Sequence, residues 1–199
     1  MEVQQETSNM DLEMEEAQNQ VIGDSLMSHP QQRDFFLRMK NLLPQYFNDV
    51  YVLEIGSLNI NGTVRDFYEG GQHVGVDLAE GPGVDLVARG EELNFPDGTF
   101  DVCVSAECFE HNPDWEPTFT NMVRMCNGLV VFTCATTGRP EHGTSNAYPD
   151  CSPFTDDYYR NLTAEDFEHL PLDDWFAAYE FDVNHQSCDL YFWGIRRLP

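Results

Sequence analysis

Basic residues are scarce in this sequence. Its 199 residues include 35 acidic side chains and only 10 lysines and arginines, so the formal net charge is -25 at pH 7. Lys40 is the single lysine. A surface of this sign repels the phosphate backbone of nucleic acids and anionic membrane surfaces. We therefore expect neither a nucleic acid nor a membrane as a partner of this protein.

Closely spaced cysteines and long apolar segments are also missing. The six cysteines form no CxxC pair, and several lie within apolar runs, which is typical of buried thiols in a reducing compartment. The first 20 residues contain neither a basic residue nor an apolar core, so they do not resemble a signal peptide. No apolar run approaches the roughly 20 residues of a membrane-spanning helix. We expect a cytoplasmic protein.

Composition and length limit the domain organisation. Hydrophobic residues make up 41% of the chain, which is enough for one core of ordinary domain size. Residues 1–28 are polar and acidic, with too little apolar surface to offset the entropy lost on ordering, so we expect a disordered tail there. Residues 29–199 are expected to form a single domain.

Seven short apolar runs, rich in β-branched and aromatic residues, predict seven strands. The first five are nearly continuous in apolar character and are joined by stretches long enough for crossovers, as in parallel strands buried on both faces. The last two flank the segment NHQS, which is long enough only for a hairpin. We expect an α/β fold, a Rossmann-like three-layer sandwich in which a seven-stranded, mostly parallel sheet ends in an antiparallel C-terminal hairpin. The predicted strands are residues 50–55, 73–77, 85–87, 101–105, 128–134, 175–182 and 188–195.

Helical signals lie between these runs. Apolar residues at helical spacing predict a helix that begins at Pro30 and ends before the next proline. A second helix is expected between the fourth and fifth strands, with Asp114 near its start and Gly128 just past its end. A third helix is expected at LTAEDF, where Thr163 is the N-cap and the acid three residues later completes a capping box.

The turn after the first strand, EIGSLNING, is typical of a nucleotide-binding turn. Gly56 lets the backbone pass close to a ligand, and Gly62 can open the following helix. Asp77 ends the second strand, where an acid accepts hydrogen bonds from both ribose hydroxyls of an adenosine. In an open parallel sheet such ligands bind beyond the carboxyl ends of the strands. The pattern fits either a dinucleotide or S-adenosylmethionine.

Two features of the turn favour S-adenosylmethionine. Glu54 precedes the first glycine, and its carboxylate attracts a sulfonium and an amino group but repels a pyrophosphate. The GxGxxG spacing that exposes backbone amides to a pyrophosphate is absent. Two alternatives remain open. One is a nicotinamide-dependent oxidoreductase on a similar sheet, and the other is a non-catalytic binding protein that keeps the fold.

The segment EELNFPDGTFDVCVSAECFEH completes a resemblance. Residues 50–134 resemble the class I S-adenosylmethionine-dependent methyltransferases of the methyltransferase-11 type. The resemblance implies S-adenosylmethionine as the cofactor and in-line transfer of its methyl group to a small-molecule acceptor. It also implies the cofactor-binding positions, which are Glu54, Gly56, Ser57, Asn61, Gly62, Asp77, Leu78, Arg89, Gly90, Glu91, Ser105, Ala106 and Glu107.

The sequence departs from that family at two places. Family members often carry an acid at the position of Arg89, where it meets the adenine amino group. The backbone of Gly90 and Glu91 is therefore the expected adenine contact here. The first turn also carries fewer glycines than is usual in the family, and two extra residues move Gly62 outward.

Candidates for catalysis and acceptor binding come from two segments. His111 ends ECFEH, and His142 lies in a turn-rich loop at residues 136–161; either can remove a proton from a hydroxyl acceptor near neutral pH. Loops at this edge of a sheet commonly recognise substrates, although this one can equally be a packed surface loop. ECFEH differs from the HxxEH zinc motif because glutamate replaces the first histidine, so we expect no metal ion. The substrate-binding candidates are Glu110, Arg139, Glu141, Tyr158 and Tyr159.

Overall fold

The domain is built on one mixed β-sheet. The structure, a computed structural model, describes residues 30–60 and 62–197. The tail expected at residues 1–28 and the predicted cofactor residue Asn61 lie outside the described residues. Seven strands pair in the order β3-β2-β1-β4-β5-β7-β6. The strands are β1 (Tyr51–Ile55), β2 (Gln72–Asp77), β3 (Leu86–Val87), β4 (Phe100–Ala106), β5 (Cys126–Ala135), β6 (Phe176–Asn184) and β7 (Asp189–Arg196).

Strand directions agree with the expected sheet. Strands β1 to β5 pair in parallel, whereas β7 runs antiparallel to both β5 and β6. Strands β1, β4 and β5 are buried on both faces, which is why their apolar residues run almost without interruption. Residues 185–188 connect β6 to β7 as a hairpin. The predicted α/β fold is confirmed.

Helices cover both faces of this sheet. Helix α1 (Pro30–Leu42) packs Phe35 and Phe36 into a core on one face. Helices α2 (Trp115–Met125) and α3 (Leu172–Trp175) contribute to a second core on the other face. The two cores and the sheet between them form the three expected layers. Among the described residues, no helix has the length and apolar character needed to cross a membrane.

The second core is filled by aromatic rings. Phe132 of β5 lies near its centre, with its ring centroid 5.1 Å from that of Phe192 and 5.2 Å from that of Phe167. Phe119 of α2 meets the Phe132 ring edge-on at 5.6 Å. Each buried aromatic side chain removes a large apolar area from water. The cluster therefore holds the C-terminal hairpin and the segment before it against the parallel part of the sheet.

Two helix ends differ in detail from what the sequence predicts. Gly128 does lie past the end of α2, which is Met125, but β5 begins at Cys126, two residues earlier than predicted, so Gly128 lies inside the strand and does not cap the helix. A side chain is excluded there because a Cβ would lie 2.6 Å from the Tyr46 ring. The capping box at Thr163 does form, but the helix is a single 3-10 turn, Ala164–Phe167. It stays short because its last residue packs into the aromatic core and a proline follows four residues later.

The crossovers between the first strands are shorter than expected. The sequence predicts a helix opened by Gly62, but the structure has one 3-10 turn, Val64–Phe67. Gly70 and Gly71, with φ of 69° and 70°, then turn the chain into β2. Between β1 and β4 the described residues form no α-helix.

Candidate active site

A cleft opens beyond the carboxyl ends of β1, β2 and β4. The parallel register pairs Ile55 of β1 with Val76 of β2 and with Ser105 of β4, so the three strands end level with one another. The cleft encloses about 820 Å³, a volume that includes its open mouth. The predicted cofactor residues that line it are Gly56, Asp77, Leu78, Arg89, Gly90, Glu91 and Glu107.

Gly56 occupies the tightest point of the turn after β1. Its φ of 78° is left-handed, and a Cβ at this position would lie 2.5 Å from the Cβ of Cys108. The amides of Gly56 and Ser57 both donate to the carbonyl of Val76, at 2.9 and 3.1 Å. Only glycine fits this position, and the turn it forms lets a ligand approach the backbone closely.

Asp77 ends β2 and faces this turn. Its carboxylate accepts hydrogen bonds from the amides of Leu58, at 3.0 Å, and Ala79, at 3.2 Å. An ionised carboxylate offers about four acceptor positions, so two remain for ligand hydroxyls. Asp77 therefore both organises the backbone of the turn and presents free acceptor positions beside it.

Glu54 is buried on the α1 side of the sheet. Its Oε2 lies 2.7 Å from Nε2 of His73 and 3.8 Å from Nε of Arg65. Burial raises the pKa of the Glu54 carboxyl, while His73 and Arg65 act in the opposite direction. The carboxylate predicted to face a cationic ligand is thus partly matched by cationic or polar groups of the protein itself.

A smaller pocket adjoins the cleft on the α1 side. The hydroxyl of Ser57 is buried there and has no hydrogen-bond partner among the described residues. A buried polar group without a partner carries a desolvation cost that a polar ligand group would remove. Gly56 and Glu107 line both cavities, so the two adjoin each other. The predicted cofactor residues that line this pocket are Glu54, Gly56, Ser57, Gly62, Ala106 and Glu107.

Ser105 differs from the other predicted cofactor residues. It lines neither cavity, and its fully buried hydroxyl donates to the carbonyl of Ile55 at 3.0 Å. This hydrogen bond ties β4 to β1. The position of Ser105 therefore indicates a structural role and not a contact with a ligand.

The 3-10 turn Gly90–Glu92 forms one wall of the cleft. A Cβ on Gly90 would lie 2.6 Å from Cγ2 of Thr118 in α2, so this turn can pack closely only with glycine. The carbonyl of Gly90 accepts a hydrogen bond from the side-chain amide Nδ2 of Asn121 at 2.9 Å. Arg89 is exposed, with its Nη1 3.8 Å from Oε1 of Glu91. Helix α2 therefore fixes the backbone that the sequence predicts as the adenine contact.

The two candidate histidines lie next to each other, at the wall of the cleft that His111 lines. His111 ends the 3-10 turn Phe109–His111, and its ring centroid is 4.9 Å from that of His142 and 5.5 Å from that of Tyr159. Burial, followed by the neighbouring His142, lowers the pKa of His111 to about 3. His111 is therefore neutral near pH 7, and a base with so low a pKa accepts protons poorly there.

Glu110 is buried beneath these rings. Its Oε1 accepts a hydrogen bond from the amide of Ala135 at 3.2 Å, and the side chain has no exposed surface. Burial raises the pKa of the Glu110 carboxyl to about 7. His111 lines the cleft, whereas Glu110 and His142 lie behind it.

Arg139 is held in a buried network. Its Nη1 donates to the carbonyl of Ser187 at 2.8 Å and to Oδ1 of Asp189 at 3.1 Å. Its Nη2 lies 3.9 Å from Oε2 of Glu107, which lines the cleft. Arg139 therefore connects the hairpin to the cleft wall without reaching the cleft.

The other predicted substrate residues also lie away from the cleft. Glu141 is exposed and accepts from the Thr144 hydroxyl at 2.6 Å. The Tyr159 hydroxyl donates to Pro140 or Asn161, at 3.1 and 2.8 Å. None of the five candidates, Glu110, Arg139, Glu141, Tyr158 and Tyr159, is among the residues that line the cleft.

The acceptor-facing wall contains residues that sequence reasoning missed. Residues 152–156 of the long loop line the cleft together with Cys108 and Asn112. Phe154 in that segment is 72% exposed and has a φ of 64°. The available signal was the turn-rich stretch SPFTDD, where an aromatic residue is surrounded by turn formers. The predicted loop is therefore in place, but different residues of it face the cleft.

The fold and the cleft agree with the resemblance found in the sequence. A parallel sheet closed by an antiparallel hairpin, a glycine turn after β1 and an acid at the end of β2 are the features of a class I methyltransferase domain. The model of the methyltransferase domain family matches residues 53–132. The resemblance predicted from the sequence is thus confirmed. No curated protein matches the sequence.

Solved structures share this fold at low sequence identity. The 1,6-didemethyltoxoflavin-N1-methyltransferase of Burkholderia thailandensis, with bound 1,6-didemethyltoxoflavin and S-adenosylhomocysteine, is 14% identical, covers 95% of this chain and 86% of its own, and has a TM-score of 0.58. A possible histamine N-methyltransferase of Thermotoga maritima is 16% identical, with coverage of 81% and 87% and a TM-score of 0.54. Phosphoethanolamine N-methyltransferase 2 of Haemonchus contortus, in complex with phosphomonomethylethanolamine and S-adenosylhomocysteine, is 16% identical, with coverage of 83% and 53% and a TM-score of 0.57.

Proposed function

We propose that this protein transfers the methyl group of S-adenosylmethionine to a small-molecule acceptor by in-line displacement. The observation that carries the proposal is the position of Asp77 beside the Gly56 turn, at the level ends of two paired parallel strands. The family match supports S-adenosylmethionine as the cofactor. Relatives solved with S-adenosylhomocysteine support it as well.

The residues of the two adjoining cavities fit the parts of this cofactor. Asp77 offers free acceptor positions for the ribose hydroxyls, and the backbone of the Gly90–Glu92 turn offers polar atoms for the adenine. In the smaller pocket, the unpartnered hydroxyl of Ser57 and the open backbone at Gly56 suit the polar amino-acid end. The donor set therefore matches a nucleoside at one end and an amino acid at the other.

Charge in the smaller pocket supports a cationic ligand. Glu54 and Glu107 are both buried and both line the smaller pocket, and His73 and Arg65 offset only part of the charge of Glu54. S-adenosylmethionine supplies an electrophilic methyl group on a positively charged sulfur. A carboxylate in a poorly solvated pocket favours such a cation. The same charge disfavours the pyrophosphate of a dinucleotide.

The acceptor would bind between His111, Asn112 and residues 152–156. These groups line the cleft on the side away from β2. The protein must hold the reacting atom of the acceptor about 3–3.5 Å from the methyl carbon and opposite the sulfur. The exposed Phe154 ring supplies an apolar wall for a small molecule. Relatives solved with small-molecule acceptors support this class of substrate.

Calorimetric titration of the full chain tests the cofactor assignment. We expect saturable binding of S-adenosylmethionine and S-adenosylhomocysteine but not of NAD. Asp77→Asn should weaken S-adenosylmethionine binding about 10- to 100-fold, because charge-assisted hydrogen bonds contribute about 1.5–3 kcal/mol. Asparagine is preferred to alanine because its carbonyl oxygen can still accept one of the turn's amide hydrogen bonds.

Glu80→Gln is the matched control for this titration. Glu80 is an exposed acid three residues after Asp77 that does not line the cleft, and the substitution removes the same charge. Its affinity for S-adenosylmethionine should stay within about twofold of the wild type. Tight binding of NAD would replace the proposal by an oxidoreductase. Binding of none of the three ligands would indicate a non-catalytic protein.

A further inference from the structure

Three side chains with metal-binding atoms converge behind the cleft. Glu110, His111 and His142 each offer one ligand atom, and these atoms lie within 4.8 Å of one another. Glu110 and His111 come from the 3-10 turn after β4, and His142 comes from the loop after β5. Because β4 and β5 are parallel neighbours, their carboxyl ends bring the two segments together.

Two of these side chains are buried with polar atoms that lack partners. Oε2 of Glu110 has no hydrogen bond, and the side chain is completely buried. Neither ring nitrogen of His111 makes a hydrogen bond of normal geometry, although the Tyr158 backbone lies close to the ring. Buried polar atoms left in this state are costly and rare. A bound ion would satisfy both side chains at once.

The third side chain is oriented as metal-binding histidines usually are. Nδ1 of His142 lies 3.1 Å from the carbonyl oxygen of Pro140. If Nδ1–H donates to that carbonyl, the lone pair of the ring lies on Nε2. A backbone carbonyl that accepts from the second ring nitrogen is a common outer contact of histidine ligands, because it fixes the tautomer and the ring plane.

The donor set selects a class of ion. Two imidazoles and one carboxylate suit zinc and neighbouring divalent transition metals, whereas calcium and magnesium prefer oxygen ligands. Zinc ligands stand about 2.0–2.2 Å from the metal and so roughly 3.5 Å from one another. Because the three atoms lie within 4.8 Å of one another, each pair needs to close by no more than about 1.3 Å. With three protein ligands, a zinc site keeps a position open.

We propose that Glu110, His111 and His142 form a binding site for a divalent transition-metal ion of the zinc class. The sequence predicts no metal because ECFEH lacks the first histidine of HxxEH, and the structure supplies the third ligand from a distant loop. His111 also lines the cleft, so the open position of the ion would face the acceptor. This role rests on the proposed function: an ion there would lower the pKa of an acceptor hydroxyl and so assist its attack on the methyl group.

Zinc titration of the untagged, chelator-treated full chain tests the site in the absence of any cofactor. We expect one equivalent to bind. His142→Ala should weaken binding at least 100-fold, and Glu110→Gln should weaken it at least tenfold. Cobalt(II) added in place of zinc should give visible absorption bands that both substitutions abolish. Circular dichroism checks that each variant is folded. His142→Ala is expected to fold because His142 is half-buried on a loop.

His169→Ala is the matched control for a histidine outside the site. His169 is exposed, with its Nε2 3.1 Å from Oε2 of Glu116, and it is not one of the three converging side chains, so its loss should leave zinc affinity unchanged. Absence of stoichiometric zinc binding overturns the proposal, as does equal weakening by His169→Ala and His142→Ala. These outcomes leave the binding of S-adenosylmethionine unaffected, so failure here and failure of the methyltransferase proposal are separable.

Discussion

Asp189→Ala is expected to lower the free energy of unfolding by about 3–5 kcal/mol, measured by chemical denaturation. Asp189 is completely buried at the start of β7, where it accepts hydrogen bonds from Arg139 at 3.1 Å, Ser187 at 2.7 Å and Tyr191 at 3.1 Å. Alanine would leave the Arg139 guanidinium, whose side chain is only 16% exposed, without its nearest carboxylate. The remaining carboxylate, Glu107, is 3.9 Å away and too distant for a hydrogen bond.

Asp182→Ala provides the comparison for this loss. Asp182 pairs with Arg38 at 2.9 Å, but the two side chains are 46% and 58% exposed. Solvent screening limits such a pair to about 0–1 kcal/mol. Asp189→Asn, which keeps an acceptor oxygen, should fall between the two alanine variants. If Asp182→Ala and Asp189→Ala lose the same stability, the buried network does not stabilise the domain.

The Asp189 network also connects the hairpin to the proposed active site. Arg139 begins the long loop after β5, and it bridges Asp189 to the cleft-lining Glu107. Loss of Asp189 should therefore loosen the loop that carries His142. Weaker zinc binding by Asp189→Ala, in a variant that is still folded, would report this connection.

The sheet could be predicted from sequence because its strands have local signals. Runs such as VVFTCA in β5 are apolar on both faces, and only a strand buried on both sides needs that pattern. The ends of the helices were harder to predict from the sequence. Gly128 follows a helix, as a C-terminal glycine often does, but a Cβ there would collide with the Asp101 carbonyl and the Tyr46 ring, both distant in sequence. Tertiary packing decided the role of that glycine.

The cofactor side of the candidate site could be predicted from the sequence for a similar reason. Gly56 and Asp77 stand at strand ends, and parallel strands bring their carboxyl ends to one edge of the sheet. The acceptor side could not be predicted from the sequence in this way. It depends on how residues 152–156 fold back over the cleft, and on the meeting of His111 with His142. Neither contact produces a pattern of residue spacing that can be recognised in the sequence.

The segment after β4 joins the two sides of the site. Glu107 adopts a left-handed φ of 51°, which a non-glycine residue rarely does without support from its surroundings. This conformation turns the chain so that Cys108 packs beneath Gly56 and the next residues bury Glu110 and His111. One short turn therefore supports the cofactor-facing loop and carries two of the proposed metal ligands. A substitution that displaces Cys108 beneath Gly56 should therefore affect both the cofactor-facing loop and the proposed metal ligands.

Gly56→Ala is expected to lower the free energy of unfolding by about 3–5 kcal/mol and to abolish measurable S-adenosylmethionine binding. A left-handed alanine costs about 1–2 kcal/mol, and forcing an additional atom into a packed region adds about 1–3 kcal/mol. The second effect arises because the new Cβ would lie 2.5 Å from Cβ and 2.8 Å from Sγ of Cys108. Denaturation and calorimetric titration measure the two losses.

Gly98→Ala separates the backbone effect from the collision. Gly98 has a similar φ of 64°, but a Cβ there would meet only the Cβ of Asn127, at an ordinary 3.5 Å. This variant should lose about 1–2 kcal/mol and bind S-adenosylmethionine normally. Adding Cys108→Gly to Gly56→Ala removes the atoms in collision and should recover part of the stability, which a double-mutant cycle would measure. Equal losses in the two alanine variants would mean that Cys108 moves aside freely, and the turn would then not depend on the segment after β4.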